Sequence, residues 1–331
     1  MRITILGGGG FLGRKVAERL AADGRLGDRT VTGLTLFDLQ PPPAPAAGFP
    51  VTSLGGDIAE LPPDAIPDGT EVVFHLAAVV SAAAEADYDL GRRVNLRGTD
   101  AVIDACRALT RDRRNPPPRV VFTSSIASFS GGQHAKLADD ARQMPANSYG
   151  TQKAAAELLL ADATRRGFMD ALCLRLPTIM VRPGRPNLAA SSFFSAIVRE
   201  PLLGLETTLP VPDDFRVWVA SPRRAVDWLL QAAVVDSSAM GQDRGLNLPG
   251  LSVTVGDILA ALEQASPGAA ALVRRAADPA IAAIVGGWPA DFAARRAPAM
   301  GFAAHEPLID LVRAFIADDL EATRQDRARP G

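Results

Sequence analysis

The chain has 331 residues, 47% of them apolar, and its 35 basic and 37 acidic residues leave a net charge of -2. That length allows one large domain or two smaller ones, and the apolar content is sufficient for a full core. The balanced charge argues against nucleic-acid binding, which normally uses a basic face, and against a polybasic membrane anchor.

Short apolar runs alternate with helix-like stretches over the first half of the chain. Strands are predicted, in chain order, at residues 2–8, 31–39, 71–78, 119–129 and 171–178, and helices at residues 11–24, 90–109 and 148–166. The proline-rich residues 41–50 are predicted as a loop. Alternating strands and helices imply an α/β fold with a parallel, doubly wound sheet of the Rossmann type.

After about residue 176 the alternation stops. The remaining chain predicts a smaller, mostly helical lobe with a proline and glycine break at residues 286–292, "GGWPADF". We therefore predict a dinucleotide-binding domain at residues 1–176 and a substrate lobe at residues 177–216 and 236–325. The segment at about 217–235 is expected to return to the first domain.

The cysteines, the histidines and the first residues limit the cellular context. The chain leads directly into a strand-like stretch without a signal peptide, and no uncharged apolar run reaches membrane-spanning length. Cys106 and Cys173 are too few for a disulfide framework. The histidines, His75, His134 and His305, are scattered rather than at metal-ligand spacing. We expect a cytoplasmic protein without a metal site.

A glycine-rich turn joins the first strand to the first helix. The stretch "GGGGFLG" places Gly7, Gly10 and Gly13 at a G-x-x-G-x-x-G spacing, with Phe11 and Leu12 between them. Glycines allow a tight turn and the close approach of a pyrophosphate, to which the helix amino terminus presents N–H groups. The turn alone is a weak signal, but its place after the first strand predicts dinucleotide binding.

Asp38 ends the second predicted strand. An acid at that point accepts hydrogen bonds from the adenosine ribose hydroxyls, and its charge repels a 2′-phosphate. The next residues, Leu39 and Gln40, offer no arginine for such a phosphate. The sequence therefore favours NAD over NADP, although a solvated loop carboxylate is the alternative interpretation of Asp38.

Tyr149 and Lys153 lie four residues apart on a predicted helix, in a chain with only two tyrosines and three lysines. These positions share a helix face. For the phenol to act as a base near pH 7 its pKa must fall by about 3, or roughly 4 kcal/mol. A neighbouring ammonium and a positive nicotinamide ring can supply this stabilisation. We expect a proton-transfer pair, against the alternative of an ordinary surface pair.

With these motifs the chain resembles the extended short-chain dehydrogenases/reductases of the NAD-dependent epimerase/dehydratase branch. The matching stretches are "GGGGFLG", the strand-end Asp38, "GDI" at 56–58, "HLAA" at 75–78, "VNLRGT" at 94–99, "TSSIASF" at 123–129 and "YGTQK" at 149–153. The likeness extends from Met1 to about Leu230 and continues more weakly to the end. Departures are Leu6 in place of threonine and "SFSGG" after the serine strand, which suggests an altered substrate pocket.

The resemblance implies roles for individual residues. Tyr149 is expected as the general acid/base, Lys153 as its electrostatic partner and Asn95 as a support of the helix geometry. Ser125 is expected to hold the reacting oxygen, with Ser124 as the competitor. The remaining cofactor contacts that the resemblance implies are Asp57 and Ile58 at the adenine, and Leu76, Ala77, Ala78 and Pro177, with Asn95, Tyr149 and Lys153, along the dinucleotide.

The substrate is expected at the segment after the last strand of the domain, where ligands bind in such sheets. Thr178, Arg182 and Arg185 lie there, and two guanidiniums can hold a small carboxylate, although both can instead serve loop structure or solvent. Ser81 can meet substrate hydroxyls or cap a helix. The resemblance implies oxidation of the C2 hydroxyl of a four-carbon sugar acid, with Tyr149 and Ser125 at the reacting oxygen.

Two other functions compete with this hypothesis. One is a nucleotide-sugar epimerase or dehydratase that retains its NAD, which would need a nucleotide diphosphate pocket of which the sequence shows no clear sign. The other is a non-catalytic NAD-sensing protein, against which the intact Tyr149, Lys153 and Ser125 argue. Because the helix at 148–166 is apolar nearly all round, it also predicts a homodimer through that helix.

Overall fold

The structure, a computed structural model, describes residues 1–111, 116–132, 136–185, 191–304 and 306–328. The strands are β1 Arg2–Leu6, β2 Arg25–Leu26, β3 Arg29–Thr30, β4 Gly33–Asp38, β5 Val51–Gly55, β6 Thr70–His75, β7 Arg119–Ser125, β8 Leu137–Ala138, β9 Asp170–Leu176, β10 Thr178–Ile179, β11 Thr207–Leu209, β12 Arg216–Ala220, β13 Gly245–Asn247, β14 Leu251–Thr254, β15 Val273–Arg275 and β16 Phe292–Ala293.

The α-helices are α1 Phe11–Asp23, α2 Ser81–Ala86, α3 Tyr88–Gly91, α4 Gly98–Thr110, α5 Ser148–Arg165, α6 Ser192–Leu202, α7 Pro222–Val234, α8 Val255–Ala265, α9 Pro279–Gly286, α10 Arg296–Ala299, α11 Leu308–Asp318 and α12 Leu320–Ala328. A π-helical turn, Arg92–Arg97, joins α3 to α4. The helix predicted as continuous over residues 90–109 is therefore interrupted.

Seven parallel strands form the central sheet in the order β13-β9-β7-β6-β1-β4-β5. The chain begins in the middle of the sheet, winds to one edge through β4 and β5, and then builds the other half from β6. This confirms the α/β Rossmann architecture. The two edge strands, β5 and β13, were not among the predicted strands.

Helices cover both faces of the sheet, because alternate residues of each buried strand point to opposite sides. On one face α1 and α7 bury Val16, Leu20, Trp228 and Leu229 against Ile3, Ile5, Phe74, Val121 and Leu172. On the other face α4 and α5 bury Val102, Cys106, Ala156 and Leu160 against Val73, Val120, Phe122 and Cys173. Each fully buried aliphatic side chain stabilises the fold by about 1.5–3 kcal/mol.

A separate core lies in the carboxyl-terminal lobe. Helices α6, α8 and α11 bury Phe194, Ile197, Ile258, Leu262 and Phe315 there. The lobe also holds a small sheet, β10-β12-β14, and a strand pair, β11-β15. Helix α7 packs against α1 on the central sheet instead. The exact division into a cofactor domain and a substrate lobe stays a prediction.

None of the described helices has the length and apolar character needed to cross a membrane. The described part of the chain also holds no group of three or more His, Cys, Asp or Glu side chains placed to bind a metal ion. His134 and His305 lie outside the described residues. Cys106 and Cys173 are buried free thiols.

Candidate active site

A cleft opens at the carboxyl ends of the central strands. Its walls come from the glycine turn after β1, the loop after β6, the end of β7, the start of α5 and the segment after β9. Because the strands are parallel, all these connections leave the sheet at the same edge. Short connections at one edge therefore bring residues far apart in sequence to one site.

The glycine turn is too tight for side chains at two of its three predicted positions. Gly7 has a φ of +87°, and a Cβ there would lie 2.6 Å from the backbone nitrogen of Ala77. A Cβ on Gly13 would lie 2.1 Å from the carbonyl oxygen of Gly7. Gly10 caps α1 without a side-chain hydrogen bond, and no acidic residue lies in the first turn of the helix. The turn with its exposed helix amino terminus fits a pyrophosphate.

Gly7, Gly10 and Gly13 line the cleft, and so do Phe11 and Leu12 at the start of α1. Beyond the glycine turn, Leu76, Ala78 and Pro177 also line it. Ala77 instead contacts the turn through its backbone. Most of the expected cofactor residues are thus brought together in one cleft.

Asp38 lies at the end of β4, beside the glycine turn. Its Oδ2 accepts a hydrogen bond from the Gly9 N–H at 2.9 Å, and its Oδ1 accepts one from the Leu39 N–H at 2.7 Å. Within the described ranges no basic side chain forms an ion pair with it. Each oxygen keeps a lone pair, so the carboxylate can accept from ribose hydroxyls.

Asp57 and Ile58 lie away from the lining of the cleft. Asp57 accepts from the Ala59 N–H at 2.8 Å and from Arg93 Nε at 2.7 Å. Ile58 is 5% exposed and packs where Gly98 leaves room, since a Cβ on that glycine would lie 2.7 Å from Ile58 Cγ2. Their expected contact with an adenine stays a prediction.

Asn95 lies buried in the π-helical turn, a conformation that is frequent at functional sites. Its Oδ1 accepts from the Val79 N–H at 2.9 Å. Its Nδ2 donates to the Val79 carbonyl at 3.0 Å and to Gln152 Oε1 at 2.7 Å. Asn95 therefore ties the loop after β6 to α5 and holds two walls of the cleft together.

Local contacts place Tyr149 at the start of α5. The Asn147 side chain caps the helix by accepting from the Gly150 N–H at 2.7 Å, and its Nδ2 donates to Ser130 Oγ at 2.7 Å. A Cβ on Gly150 would lie 2.2 Å from the Ala127 carbonyl oxygen. A glycine after the tyrosine thus lets the helix approach the turn that follows Ser125.

Tyr149, Lys153 and Ser125 meet in the cleft. Ser125 lies close enough to the Tyr149 hydroxyl to lower the pKa of that phenol. Lys153 is 1% exposed, and its Nζ lies 5.7 Å from the centre of the Tyr149 ring and 4.5 Å from that of Phe122. Ser124 points elsewhere, because its hydroxyl donates to Glu157. Of the two candidate serines, Ser125 is therefore the one beside the phenol.

Burial controls the protonation of this pair. It lowers the pKa of Lys153 to about 7, while Cys173 and Glu157 act in the opposite direction. Burial also raises the pKa of Tyr149, since a phenolate loses its hydration, whereas Arg182 and Ser125 lower it. Within the chain, Arg182 is thus the charged group that lowers the pKa of Tyr149. The expected fall of this pKa toward 7 includes the charge of a bound nicotinamide ring and stays a prediction.

Beneath the helix face that carries Tyr149 and Lys153 lies a buried ion pair that sequence reasoning missed. Glu157, one turn beyond Lys153, pairs with Arg175 of β9, with an Nη2 to Oε2 distance of 2.8 Å. Glu157 also accepts from Ser124 and from Gln143 Nε2 at 3.0 Å. Arg175 donates further to Asn247 Oδ1 at 3.3 Å. The network fixes α5 to the central sheet.

Arg182 lines the cleft next to Tyr149, and its guanidinium has no carboxylate partner among the described residues. Burial lowers the pKa of Arg182, which reflects a charge held out of water. The backbone around it is fixed, because its N–H donates to Ser195 Oγ at 3.0 Å and its carbonyl accepts from Arg199 Nη1 at 2.8 Å. Such a guanidinium is a binding group for an anion.

The other expected substrate residues divide into two groups. Ser81 and Thr178 line the cleft, and the Thr178 hydroxyl is buried without a hydrogen-bond partner among the described residues. Arg185 is exposed and does not line the cleft. The expected contact of Arg185 with a substrate carboxylate stays a prediction. The placement of Arg182 in the cleft does not depend on it.

Sequence reasoning missed further cleft residues. They include Val80, Thr123, Ile126 and Ile179, the serines Ser191, Ser192 and Ser195 around the start of α6, and Trp288. The only signal for Trp288 was the break at 286–292 in an otherwise helical lobe. No local pattern indicates that this break reaches a site built by the first half of the chain.

Comparisons with known proteins agree with this geometry. The chain is 42% identical to the D-erythronate dehydrogenase of Cupriavidus necator, over 96% of this chain and 98% of that protein. It is 37% identical to the D-erythronate dehydrogenase of Haemophilus influenzae, over 97% and 100%. A crystal structure described as a nucleoside-diphosphate-sugar epimerase from Agrobacterium tumefaciens has a TM-score of 0.91 and 44% identity, over 98% of this chain and 96% of that chain.

The family model that matches covers residues 3–219, from β1 through the glycine turn, Asp38 and the Tyr149/Lys153 pair into β12. It is the model described as the NAD dependent epimerase/dehydratase family. The resemblance inferred from the motifs is confirmed: this chain belongs to the NAD dependent epimerase/dehydratase family.

Proposed function

We propose that the protein is an NAD-dependent dehydrogenase that oxidises the C2 hydroxyl of D-erythronate to 2-dehydro-D-erythronate. The observation that carries the proposal is the guanidinium of Arg182 beside Tyr149, which forms no ion pair with a carboxylate of the described residues. A carboxylate held by Arg182 brings the adjacent C2 hydroxyl of a 2-hydroxy acid next to Tyr149. The likeness to two D-erythronate dehydrogenases over nearly the whole chain supports the same substrate.

The side chains of the cleft divide the work. NAD, when bound, supplies the hydride acceptor. The glycine turn, Asp38 and Lys153 hold the dinucleotide. Tyr149 takes the C2 hydroxyl proton, and Ser125 hydrogen-bonds the same oxygen as the carbonyl forms. Since C2 loses one hydride and its hydroxyl loses one proton, the products are the 2-oxo acid, the reduced cofactor and one proton.

An epimerase that retains its NAD is the second candidate, because the structure from Agrobacterium tumefaciens carries that description. Such an enzyme regenerates its cofactor in each cycle and binds a nucleotide diphosphate. A non-catalytic NAD sensor is the third candidate. A sensor has no use for a Tyr149, Lys153 and Ser125 arrangement that meets at one point of the cleft.

One assay separates these functions. The purified protein is mixed with NAD and D-erythronate, and NADH is followed at its absorbance band. Net NADH formation supports the dehydrogenase. Conversion of a nucleotide sugar without net NADH supports the epimerase, and NAD binding with no conversion of either substrate supports the sensor. Activity that persists unchanged in Tyr149→Phe contradicts both enzymatic functions.

We also propose NAD as the preferred cofactor over NADP. The Asp38 carboxylate lies beside the glycine turn without an ion-pair partner in the described ranges, so it repels a 2′-phosphate. The preference is measured as the ratio of kcat/KM for the two cofactors. We expect Asp38→Gly to lower that ratio; an equal use of both cofactors by the unchanged protein contradicts the proposal.

We further propose a homodimer through α5. Leu158 is 71% exposed and Leu159 40% exposed on this helix, whose opposite face covers the sheet. Exposed leucines on adjacent positions favour a covering partner. Sedimentation is expected to give a dimer for the unchanged chain and a monomer for Leu158→Glu. A monomeric unchanged chain contradicts this proposal. A cytoplasmic location stays a prediction.

A further inference from the structure

Trp288 reaches the cleft from the carboxyl-terminal lobe, immediately after α9. The preceding residue seats the segment on the turn after β7, since a Cβ on Gly287 would lie 2.6 Å from the Ser130 carbonyl oxygen. A few residues later, β16 pairs with β8. Two contacts with the first half of the chain thus hold Trp288 in place on both sides.

The indole N–H of Trp288 differs from those of the other two tryptophans of the chain. Trp218 Nε1 donates to the Leu248 carbonyl at 3.3 Å, and Trp228 Nε1 donates to the Ala303 carbonyl at 2.9 Å. Trp288 Nε1 is shielded from solvent and has no partner among the described residues. Because an indole N–H can only donate, it requires an acceptor oxygen that the described residues do not supply.

Two walls of the cleft therefore carry complementary groups. Arg182 lies on the wall formed with α6, where Ser195 and Arg199 hold its backbone. Trp288 lies on the wall formed with the turn after β7. Thr178, whose hydroxyl is also buried without a partner in the described part of the chain, contributes to the same cleft. An acid whose carboxylate is held by Arg182 extends its other end toward the remaining polar groups.

We propose that Trp288, together with Thr178, determines specificity by hydrogen-bonding the hydroxyls of the sugar acid beyond C2. The inference rests on the proposed function, in which Arg182 takes the carboxylate and Tyr149 and Ser125 take the C2 hydroxyl. The C3 and C4 hydroxyls of D-erythronate then remain as acceptors for the indole N–H and as partners for the threonine hydroxyl. A plain 2-hydroxy acid leaves both protein groups unsatisfied.

The magnitude follows from the cost of an unsatisfied buried group. Losing one such hydrogen bond while its partner stays buried changes kcat/KM by roughly 10- to 100-fold. A substrate without a hydroxyl beyond C2 never forms this hydrogen bond, so removing the protein group does not lower its kcat/KM. The ratio of kcat/KM for D-erythronate to kcat/KM for 2-hydroxybutanoate of the same C2 configuration therefore measures the contact directly.

The test compares Trp288→Phe, which keeps an aromatic ring but removes the N–H, with the unchanged protein. We expect the specificity ratio to fall roughly 10- to 100-fold, because only D-erythronate loses turnover. Trp228→Phe, the same substitution at a tryptophan outside the cleft, is the matched control and is expected to leave the ratio unchanged. Thr178→Val removes the other hydroxyl at nearly constant volume and is expected to lower the ratio as well.

The outcomes separate this inference from the proposed function. An unchanged ratio in both Trp288→Phe and Thr178→Val overturns the inference, and so do equal losses for both substrates, which would mean a packing role. If Trp288→Phe does not fold, the ratio in Thr178→Val decides. Failure of the unchanged protein to reduce NAD with D-erythronate overturns the proposed function, and this inference with it.

Discussion

Replacing Arg182 with glutamine tests the assignment of the carboxylate site. Arg182 is half-buried beside Tyr149 and its guanidinium forms no ion pair with the described carboxylates, so the substitution removes charge without breaking a structural contact of that kind. Taking away one partner of a buried, hydrogen-bonded charge pair costs about 2–5 kcal/mol. We therefore expect kcat/KM for D-erythronate to fall by roughly 30-fold to several thousandfold.

The same substitution has an effect on the pH dependence. Arg182 lowers the pKa of Tyr149, so its loss lets burial raise that pKa further. Oxidation accelerates as the phenol loses its proton, and the rising limb of the pH–rate profile is expected to move to higher pH. Arg182→Lys keeps the charge and is expected to retain most of the original profile.

Stability provides the check that the fold is intact. A desolvated charge without a carboxylate partner contributes nothing favourable, so Arg182→Gln is expected to leave the free energy of unfolding unchanged or to raise it, as measured in urea. Arg313→Gln, at an arginine whose side chain is 61% exposed and lies outside the cleft, is the matched control and should have little effect on turnover. Full activity of Arg182→Gln, or an equal loss in Arg313→Gln, would refute the reasoning.

Three further substitutions probe the supporting structure. Glu157→Gln breaks the buried pair with Arg175 and should lower the free energy of unfolding by about 3–5 kcal/mol; an unchanged urea midpoint contradicts this. Gly13→Ala places a Cβ against the Gly7 carbonyl and should abolish NAD binding in calorimetry, whereas retained affinity contradicts the turn geometry. Burial lowers the pKa of His75 to about 3, so between about pH 6 and pH 4 only the unfolded state binds a proton at this residue. As the pH falls through that range, the free energy of unfolding of the unchanged protein should fall by about 1.4 kcal/mol per pH unit relative to that of His75→Gln. Parallel pH curves for the two proteins would contradict this.

Most strands of the sheet could be predicted because their apolar runs are buried on both faces. The two that were missed lie at the edges. Val51–Gly55 is half exposed and follows a proline-rich loop, so neither alternation nor a long apolar run marks it. Gly245–Asn247 has only three residues and is buried by pairing with β9. Both depend on tertiary contacts that a local pattern does not contain.

The same limit applies to the site. Tyr149 and Lys153 share a helix face, and the glycine turn is contiguous, so both could be recognised as candidates from their spacing together with the order of strands and helices. Trp288 comes to the cleft from the other end of the chain through contacts with Ser130, and no spacing rule covers such a distance. The effect of burial on the pKa of Tyr149 is also absent from the sequence pattern, because it depends on how completely the fold removes water from the phenol.

The site consists of two layers with different physical roles: a lower layer around the Glu157–Arg175 ion pair, and an upper layer of residues that line the cleft. In the lower layer both oxygens of Glu157 are hydrogen-bonded, to Arg175 and to neighbouring donors, so its polar groups are satisfied within the chain. In the upper layer the Arg182 charge, the Thr178 hydroxyl and the Trp288 N–H lack such partners among the described residues. A substrate that supplies a carboxylate and hydroxyls completes the upper layer. Substitutions below should therefore reduce stability, while substitutions above should reduce turnover and leave stability intact, because the fold does not depend on groups that only the substrate satisfies.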